Sequence, residues 1–162
     1  MPTSRGPSAN REEGVVVRDA AADDLSDLLR LCQQLAQDRG SALPVGADDA
    51  TPLLAAIATQ PGRHLLVAEV GGKIVGTADL LMVPNLTHSG APWAVVENVV
   101  VDKEVRRRGV GRALIDDLIR RCATAGCYKV QLLSNKSRTD AHEFYRSVGF
   151  EAVAEGFRMY LR

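Results

Sequence analysis

The chain has 162 residues, enough for one domain with its own core and too few for two comfortable ones. Hydrophobic residues make up 46% and charged residues 25%, and Lys plus Arg equals Asp plus Glu at 20 each, so no net charge draws the chain to nucleic acid or to a membrane surface. Cys32, Cys122 and Cys127 form no CxxC pair and are odd in number, which fits neither a zinc site nor a secreted disulfide framework; reduced thiols and a cytoplasmic location are the expectation.

The opening MPTSRGPSANREEG lacks an apolar segment and is rich in Pro, Gly, Ser and charge, so residues 1–14 read as a disordered tail ahead of a single domain at 15–162. VVVR (15–18) predicts a short strand. In DDLSDLLRLCQQLAQ, Leu25, Leu28, Leu29, Cys32, Leu35 and Ala36 recur at helical spacing behind an acidic start, an amphipathic helix. GSALPVG interrupts it, and DDATPLLAAIATQ predicts a second, shorter helix that stops at Pro61-Gly62. HLLVAEVGGKIVGTADLLMV is two apolar runs about Gly71-Gly72, a hairpin.

After the polar loop PNLTHSGAP, WAVVENVVVD is a β-branched strand interrupted by Glu97 and Asn98. RALIDDLIRRCATAG predicts a helix with Ala113, Leu114, Leu118 and Cys122 on one face and Gly126 as its stop. YKVQLLS is a further strand, TDAHEFYRSVGF a short helix, and EAVAEGFRMYLR a terminal pair of strands. The expected order is β-α-α-β-β-β-α-β-α-β-β. It implies an α/β (α+β) single domain with a mixed, mainly antiparallel central sheet flanked by helices, the parallel pair lying across the crossover helix.

Between strand and helix stands RRRGVGR, residues 106–112. The first amides of a helix have no intrahelical acceptor, and the helix dipole adds partial positive charge there. Gly109 and Gly111 carry no Cβ, which lets a ligand lie against those amides, while Arg106, Arg107, Arg108 and Arg112 crowd an end that would ordinarily favour acidic residues. The combination suits an anion such as a phosphate or pyrophosphate. It is not a P-loop, because GxxxxGK[ST] is absent, nor a dinucleotide fingerprint, because the third glycine is missing.

ENVVVDKEVRRRGVGRALI resembles the central motif of the GNAT superfamily of acyl-CoA N-acyltransferases, an apolar strand followed by [Q/R]-x-x-G-x-[G/A], here Arg106, Gly109 and Gly111. AHEFYRSVGF resembles the family's later A-x-x-F-Y-x-x-x-G-F, on Ala141, Phe144, Tyr145, Gly149 and Phe150. The motifs stand in the family's order with one helix and one strand between them. The resemblance implies acetyl-CoA as cosubstrate with no metal. It implies that the turn residues Arg106, Arg107, Arg108, Gly109, Val110, Gly111, Arg112 and Ala113 hold its pyrophosphate, and that the backbone of Val99, Val100 and Val101 pairs with the pantetheine amides. Lys103 stands where many members have proline. Arg138 stands where many carry an asparagine that meets the pantetheine arm, with Asn135 or Ser134 as alternatives for that contact.

The implied reaction is direct attack of an amine on the thioester in a ternary complex. Tyr145 is the expected general acid, since a phenol titrating near 10 is protonated at neutral pH. Glu97 is the expected proton acceptor or anchor for a cationic acceptor, because a carboxylate inside an apolar strand is costly unless it is paired or used. Asn98 is expected on the opposite face in a structural role; His88 in the loop is an alternative base or a lining of the acceptor pocket, with an exposed loop histidine as the plainer reading, and His142 on the last helix and Trp93 carry no firm assignment. Asp48, Asp49 and Glu97 lean toward a cationic acceptor.

The expected function is N-acetylation of a primary amine on a small molecule or peptide. The alternatives are a non-catalytic acyl-CoA sensor or regulatory subunit, and a nucleic-acid binder, which the zero net charge and the absence of a second basic stretch oppose. Homodimers are common in the family, and the residues read so far leave that state open.

Overall fold

A computed structural model describes residues 14–161. The tail expected at 1–14 therefore lies, but for Gly14, outside the described residues. The elements are β1 (Val16–Asp19), α1 (Leu25–Arg39), α2 (Ala47–Thr59), β2 (Arg63–Val70), β3 (Lys73–Val83), β4 (Trp93–Val101), α3 (Val110–Thr124), β5 (Lys129–Leu132) and α4 (Thr139–Ser147), with short 3-10 turns between some of them. Through α4 this is the expected order.

The strands form one sheet in the order β1-β2-β3-β4-β5. The first three pairings are antiparallel, and β4 with β5 is parallel, as the crossover through α3 requires. Gly71 and Gly72 both have positive φ, 57° and 76°, so the two-residue turn between β2 and β3 twists with the strands it joins.

The sheet has a hydrophobic layer on each face. Leu66, Ala68, Ala78, Leu80, Ala94 and Val96 pack against Val110, Leu114, Ile115 and Leu118 of α3. Val67, Ile74 and Val100 pack against Leu28, Leu31 and Leu35 of α1 and Leu54 of α2. The alternation Leu66-Val67-Ala68, all fully buried, is the two-residue period of a strand covered on both sides. Burying a side chain such as Leu66 or Val67 contributes about 1.5–3 kcal/mol of transfer free energy. The buried stripe of α1 is centred on Leu31, wholly buried one turn from Leu28 and Leu35, whereas Leu29 is partly exposed.

Two differences from expectation bear on function. Opposite Thr77 and Asp79 of β3 stand Val100 and Glu97 of β4, so β4 spends one extra residue there, and Asn98 takes φ 52°. This β-bulge breaks strict alternation: Glu97 and Asn98 are both exposed, rather than facing opposite sides. Asparagine is among the few non-glycine residues that take positive φ readily. The second difference is the end of the chain. Residues 151–161 form no strand, although EAVAEGFRMYLR has strand composition, because a strand needs a partner edge and this segment lies on none.

Candidate functional site at the parting of two strands

β4 and β5 pair only from Trp93 with Lys129 to Val96 with Leu132. β5 then ends, while β4 runs on through its bulge to Val101. Residues 97–101 consequently have β3 on one side and, among the described residues, no strand on the other. A parallel pair parts readily at a bulge, because the extra residue bends and twists its strand away.

The chain leaves β4 through a turn at Lys103–Val105, and Arg107 and Gly109 follow at φ 64° and 82°. Gly109 is the N-cap of α3 and supplies no side-chain acceptor. Ala113 donates its N–H to the Gly109 carbonyl at 2.9 Å, but the amides of Val110, Gly111 and Arg112 meet no acceptor among the described residues. No acidic residue occupies the first turn of α3. A Cβ added at Gly109 would meet nothing within 4 Å, so the approach to these amides is open. At Gly111 an added Cβ would come within 3.2 Å of the Phe144 ring and 3.6 Å of Val101 Cγ2. That glycine is therefore where α3, α4 and the end of β4 come together.

The four arginines divide by task. Arg106 donates to the Val101 carbonyl at 3.1 Å and to Asp38 of α1 at 2.6 Å, bracing the turn. Arg112 donates to the Ser147 carbonyl at 3.1 Å, tying α3 to the last turn of α4. Arg107 and Arg108 are exposed and form no ion pair among the described residues.

Tyr145 follows Phe144 on α4, its ring 5.3 Å from that of Phe144 and 5.9 Å from that of Phe150. Burial pushes its phenol above its ordinary value, against the pull of Arg138 and Arg39, while the charge of Glu97 adds to the rise. Tyr145 is thus firmly protonated at neutral pH and lies within electrostatic reach of Glu97. Ser134, in the loop between β5 and α4, has a buried hydroxyl with no hydrogen-bond partner. Nearby, Asn135 uses its side-chain oxygen within the loop, accepting from the N–H and hydroxyl of Ser137 at 3.0 Å each. Arg138 precedes α4 and forms no ion pair among the described residues.

Other sequence-level candidates fall elsewhere. His88 stacks on Tyr128 with ring centroids 3.8 Å apart, and Trp93 lies under the Lys129 ammonium at 5.9 Å. Trp93 opens β4, about 13 Å along the strand from Glu97 at the usual rise, and His88 lies in the short turn before it. His142 is half-buried on α4, and Asp48 and Asp49 are exposed in the first turn of α2. Cys122 is buried and its thiol is pushed up to about 12 by burial and by the neighbouring Cys127, so it is no nucleophile at neutral pH.

The residues that hold the turn in place are ones sequence reading missed. Asp102, at its start, accepts from the Glu104 N–H at 3.1 Å and pairs with Arg30 of α1, whose other amino group reaches the Ile74 carbonyl at 2.8 Å. Arg30 and Asp102 are 72 positions apart, and Arg106 and Asp38 are 68 apart, so no local pattern announces either pair.

Residues 24–150 match the model of the Acetyltransferase (GNAT) family. Glucosamine 6-phosphate N-acetyltransferase of Trypanosoma brucei brucei is 40% identical over 88 residues, 54% of this chain and 58% of that protein. The matches span about half the length of the curated relatives, 58%, 43% and 43% for three of them. A solved structure from Agrobacterium tumefaciens str. C58 is 39% identical with a TM-score of 0.84, covering 90% of this chain and 99% of that one. A Trypanosoma brucei acetyltransferase structure is 31% identical with a TM-score of 0.77, covering 91% and 100%. With its parted strands, uncapped glycine turn and Phe-Tyr helix matched across 24–150, the chain belongs to the GNAT acetyltransferase family.

Proposed function

We propose that the chain moves an acetyl group from acetyl-CoA to a primary amine of a small molecule or peptide, by direct attack in a ternary complex. The observation that carries this reading is the meeting, around Gly111, of the uncapped α3 terminus, the unpaired end of β4 and the helix bearing Tyr145. The residues present fit the cosubstrate. The free amides of Val110, Gly111 and Arg112, with Arg107 and Arg108, suit its pyrophosphate. Main-chain groups of Val99, Val100 and Val101, with the unpartnered Ser134 hydroxyl and the side chains of Asn135 and Arg138, suit its amide-bearing arm. Bound there, acetyl-CoA supplies an activated thioester.

The chain's own residues do the rest. Glu97 accepts a proton from the acceptor ammonium through water, freeing the nitrogen lone pair to attack the thioester carbon. A carbon–nitrogen bond forms, the carbon–sulfur bond breaks, Tyr145 donates its phenolic proton to the departing sulfur, and the second proton that the nitrogen sheds in becoming an amide returns to the Tyr145 phenolate through water. The elevated affinity of that phenol for its proton keeps it in the donor form before attack. Glucosamine 6-phosphate is the acceptor in the names of two relatives, which makes an amino sugar phosphate the first acceptor to test.

The test is mass-spectrometric detection of acetylated product from acetyl-CoA and a panel of amines, with glucosamine 6-phosphate, polyamines, aminoglycosides and N-terminal peptides, beside calorimetric titration of acetyl-CoA. A product that needs active protein names the acceptor. Bound acetyl-CoA with no product across the panel would favour a non-catalytic acyl-CoA sensor, and no binding would overturn the reading.

A further inference from the structure

Among the described residues the buried carboxylates are Asp24, Asp79 and Asp102. Asp24 holds the turn before α1 and Asp102 the turn after β4. Asp79 does neither. It stands in the middle of β3, 8% exposed, between Ala78 and Leu80, which are wholly buried. Both of its oxygens are engaged by Arg63 of β2, through Nε at 2.9 Å and a terminal nitrogen at 2.5 Å. The other terminal nitrogen of Arg63 donates to Gln60 Oε1 at 3.0 Å. Replacing such a buried pair by apolar residues is often neutral or stabilising, so stability alone does not account for it.

The register places Asp79 beside the candidate site. It lies directly opposite Glu97 of β4, and opposed residues share a face with Cβ atoms about 4.5–5.5 Å apart. That face is the one α1 covers, since the Cys32 thiol is pushed up by burial and by the Asp79 charge. The cover ends at this point. Thr77 and Val100, on one side of the two carboxylates, are buried, whereas Leu81 and Val95, on the other, are only partly so. Glu97 itself is exposed and forms no ion pair among the described residues.

Like charges directly opposite one another on a sheet repel. Arg63 offsets one carboxylate, so the group of Arg63, Asp79 and Glu97 keeps a single negative charge at the edge of the covered face. A primary ammonium completes the balance. A carboxylate accepts about four hydrogen bonds, so Asp79 can receive one from an ammonium while Arg63 still holds it. A hydroxyl in the same place brings one donor and no charge.

We propose that Asp79, held by Arg63, is a specificity-determining residue that takes the acceptor's ammonium beside Glu97, so that the chain selects primary amines over alcohols of the same shape. The inference rests on the acetyl-transfer reading and adds a second carboxylate to it. Glu97 remains the group that receives the proton, and Asp79 holds the nitrogen in place.

It is tested on the full chain with Asp79→Asn and with Asp79→Asn/Arg63→Gln. The probes are the first amine of the panel to give product and its matching alcohol, which for glucosamine 6-phosphate is glucose 6-phosphate. Thermal melts, acetyl-CoA titration, acceptor KM and kcat, and inhibition by the alcohol are measured. Asp79→Asn alone leaves Arg63 without its partner and lowers the melting temperature. The double variant removes both charges and should melt near the parent. Its acceptor KM should nevertheless stay raised about 10–100-fold, the weight of one hydrogen bond to a charged group, with acetyl-CoA affinity and inhibition by the alcohol unchanged. The single variant, assayed below its melting temperature, should show the same split between amine and alcohol. A purely structural pair predicts a KM that returns with the melt in the double variant, and that result overturns the proposal. So does a loss of alcohol binding equal to the rise in KM. Product formed with the parent's KM in both variants overturns this inference alone, whereas no product from the parent overturns it together with the reading it rests on.

Discussion

Placing an aspartate at Gly111 separates two roles that meet at one atom. Gly111 is the second residue of α3, beside amides without acceptors, and its missing Cβ gives the Phe144 ring room. A Cβ there meets Phe144 at 3.2 Å, a few tenths of an ångström inside ordinary contact, and the rest of the aspartate adds bulk. Overpacking of this kind costs about 1–3 kcal/mol. Against it, leaving glycine gains about 0.5 kcal/mol of helix propensity. A carboxylate in the first turn gains about 0.3–1 kcal/mol from the dipole. The net prediction for Gly111→Asp is a loss of stability of about 0–2 kcal/mol.

Cosubstrate binding should suffer as well, by a separate route. Two like unit charges about 5 Å apart repel by about 3 kcal/mol at an effective dielectric of about 20. Solvent and salt at this exposed turn reduce that, leaving acetyl-CoA binding weaker by about 10–100-fold. Calorimetric titration of acetyl-CoA, with thermal melts of the same samples, measures both quantities. Gly111→Asn has nearly the same bulk without the charge and should bind more tightly than Gly111→Asp. If the two bind alike, charge at the turn is irrelevant. If Gly111→Asp melts normally and binds like the parent, the pyrophosphate does not lie there.

Two further predictions concern the acid and the pH dependence. Tyr145→Phe keeps the ring packed against Phe144 and Phe150, so the melt and acetyl-CoA affinity should hold while turnover falls by about 10²–10⁴-fold; unchanged turnover would take Tyr145 out of the mechanism. Hydrogen bonds from Arg18 hold Asp24 below the usual carboxylate range, and Asp102 is lowered despite its burial by the Glu104 N–H and Arg30. Folded values below unfolded ones mean that this stability is fully present above the unfolded value near pH 4 and is lost as pH falls through the folded values. Urea titrations should therefore give constant stability near neutrality and a decline below about pH 4 that is shallower in Asp24→Asn; equal slopes would remove Asp24 from the account.

Local patterns carried the reading a long way. The apolar spacing of α1 and α3, the Gly71-Gly72 hairpin and the β-branched run of β4 are signals contained within a few turns or a few residues, and the observed elements follow them in order. RRRGVGR is legible as a helix start with orphan amides for the same reason: those amides depend on the two or three residues beside them, not on the rest of the fold.

What the tertiary structure decided depends on contacts between distant positions. Four arginines look alike in sequence, yet Asp38 and Ser147 engage Arg106 and Arg112, while Arg107 and Arg108 form no ion pair among the described residues. Strict alternation separated Glu97 from Asn98, and only pairing with β3 revealed the extra residue that exposes both. Gly111 read as a bare amide, and its second role appeared once α4 brought Phe144 against it. The terminal strands failed for the converse reason. Composition sets a segment's tendency to extend, but a ladder also needs backbone pairing with a neighbouring strand, and residues 151–161 pair with none.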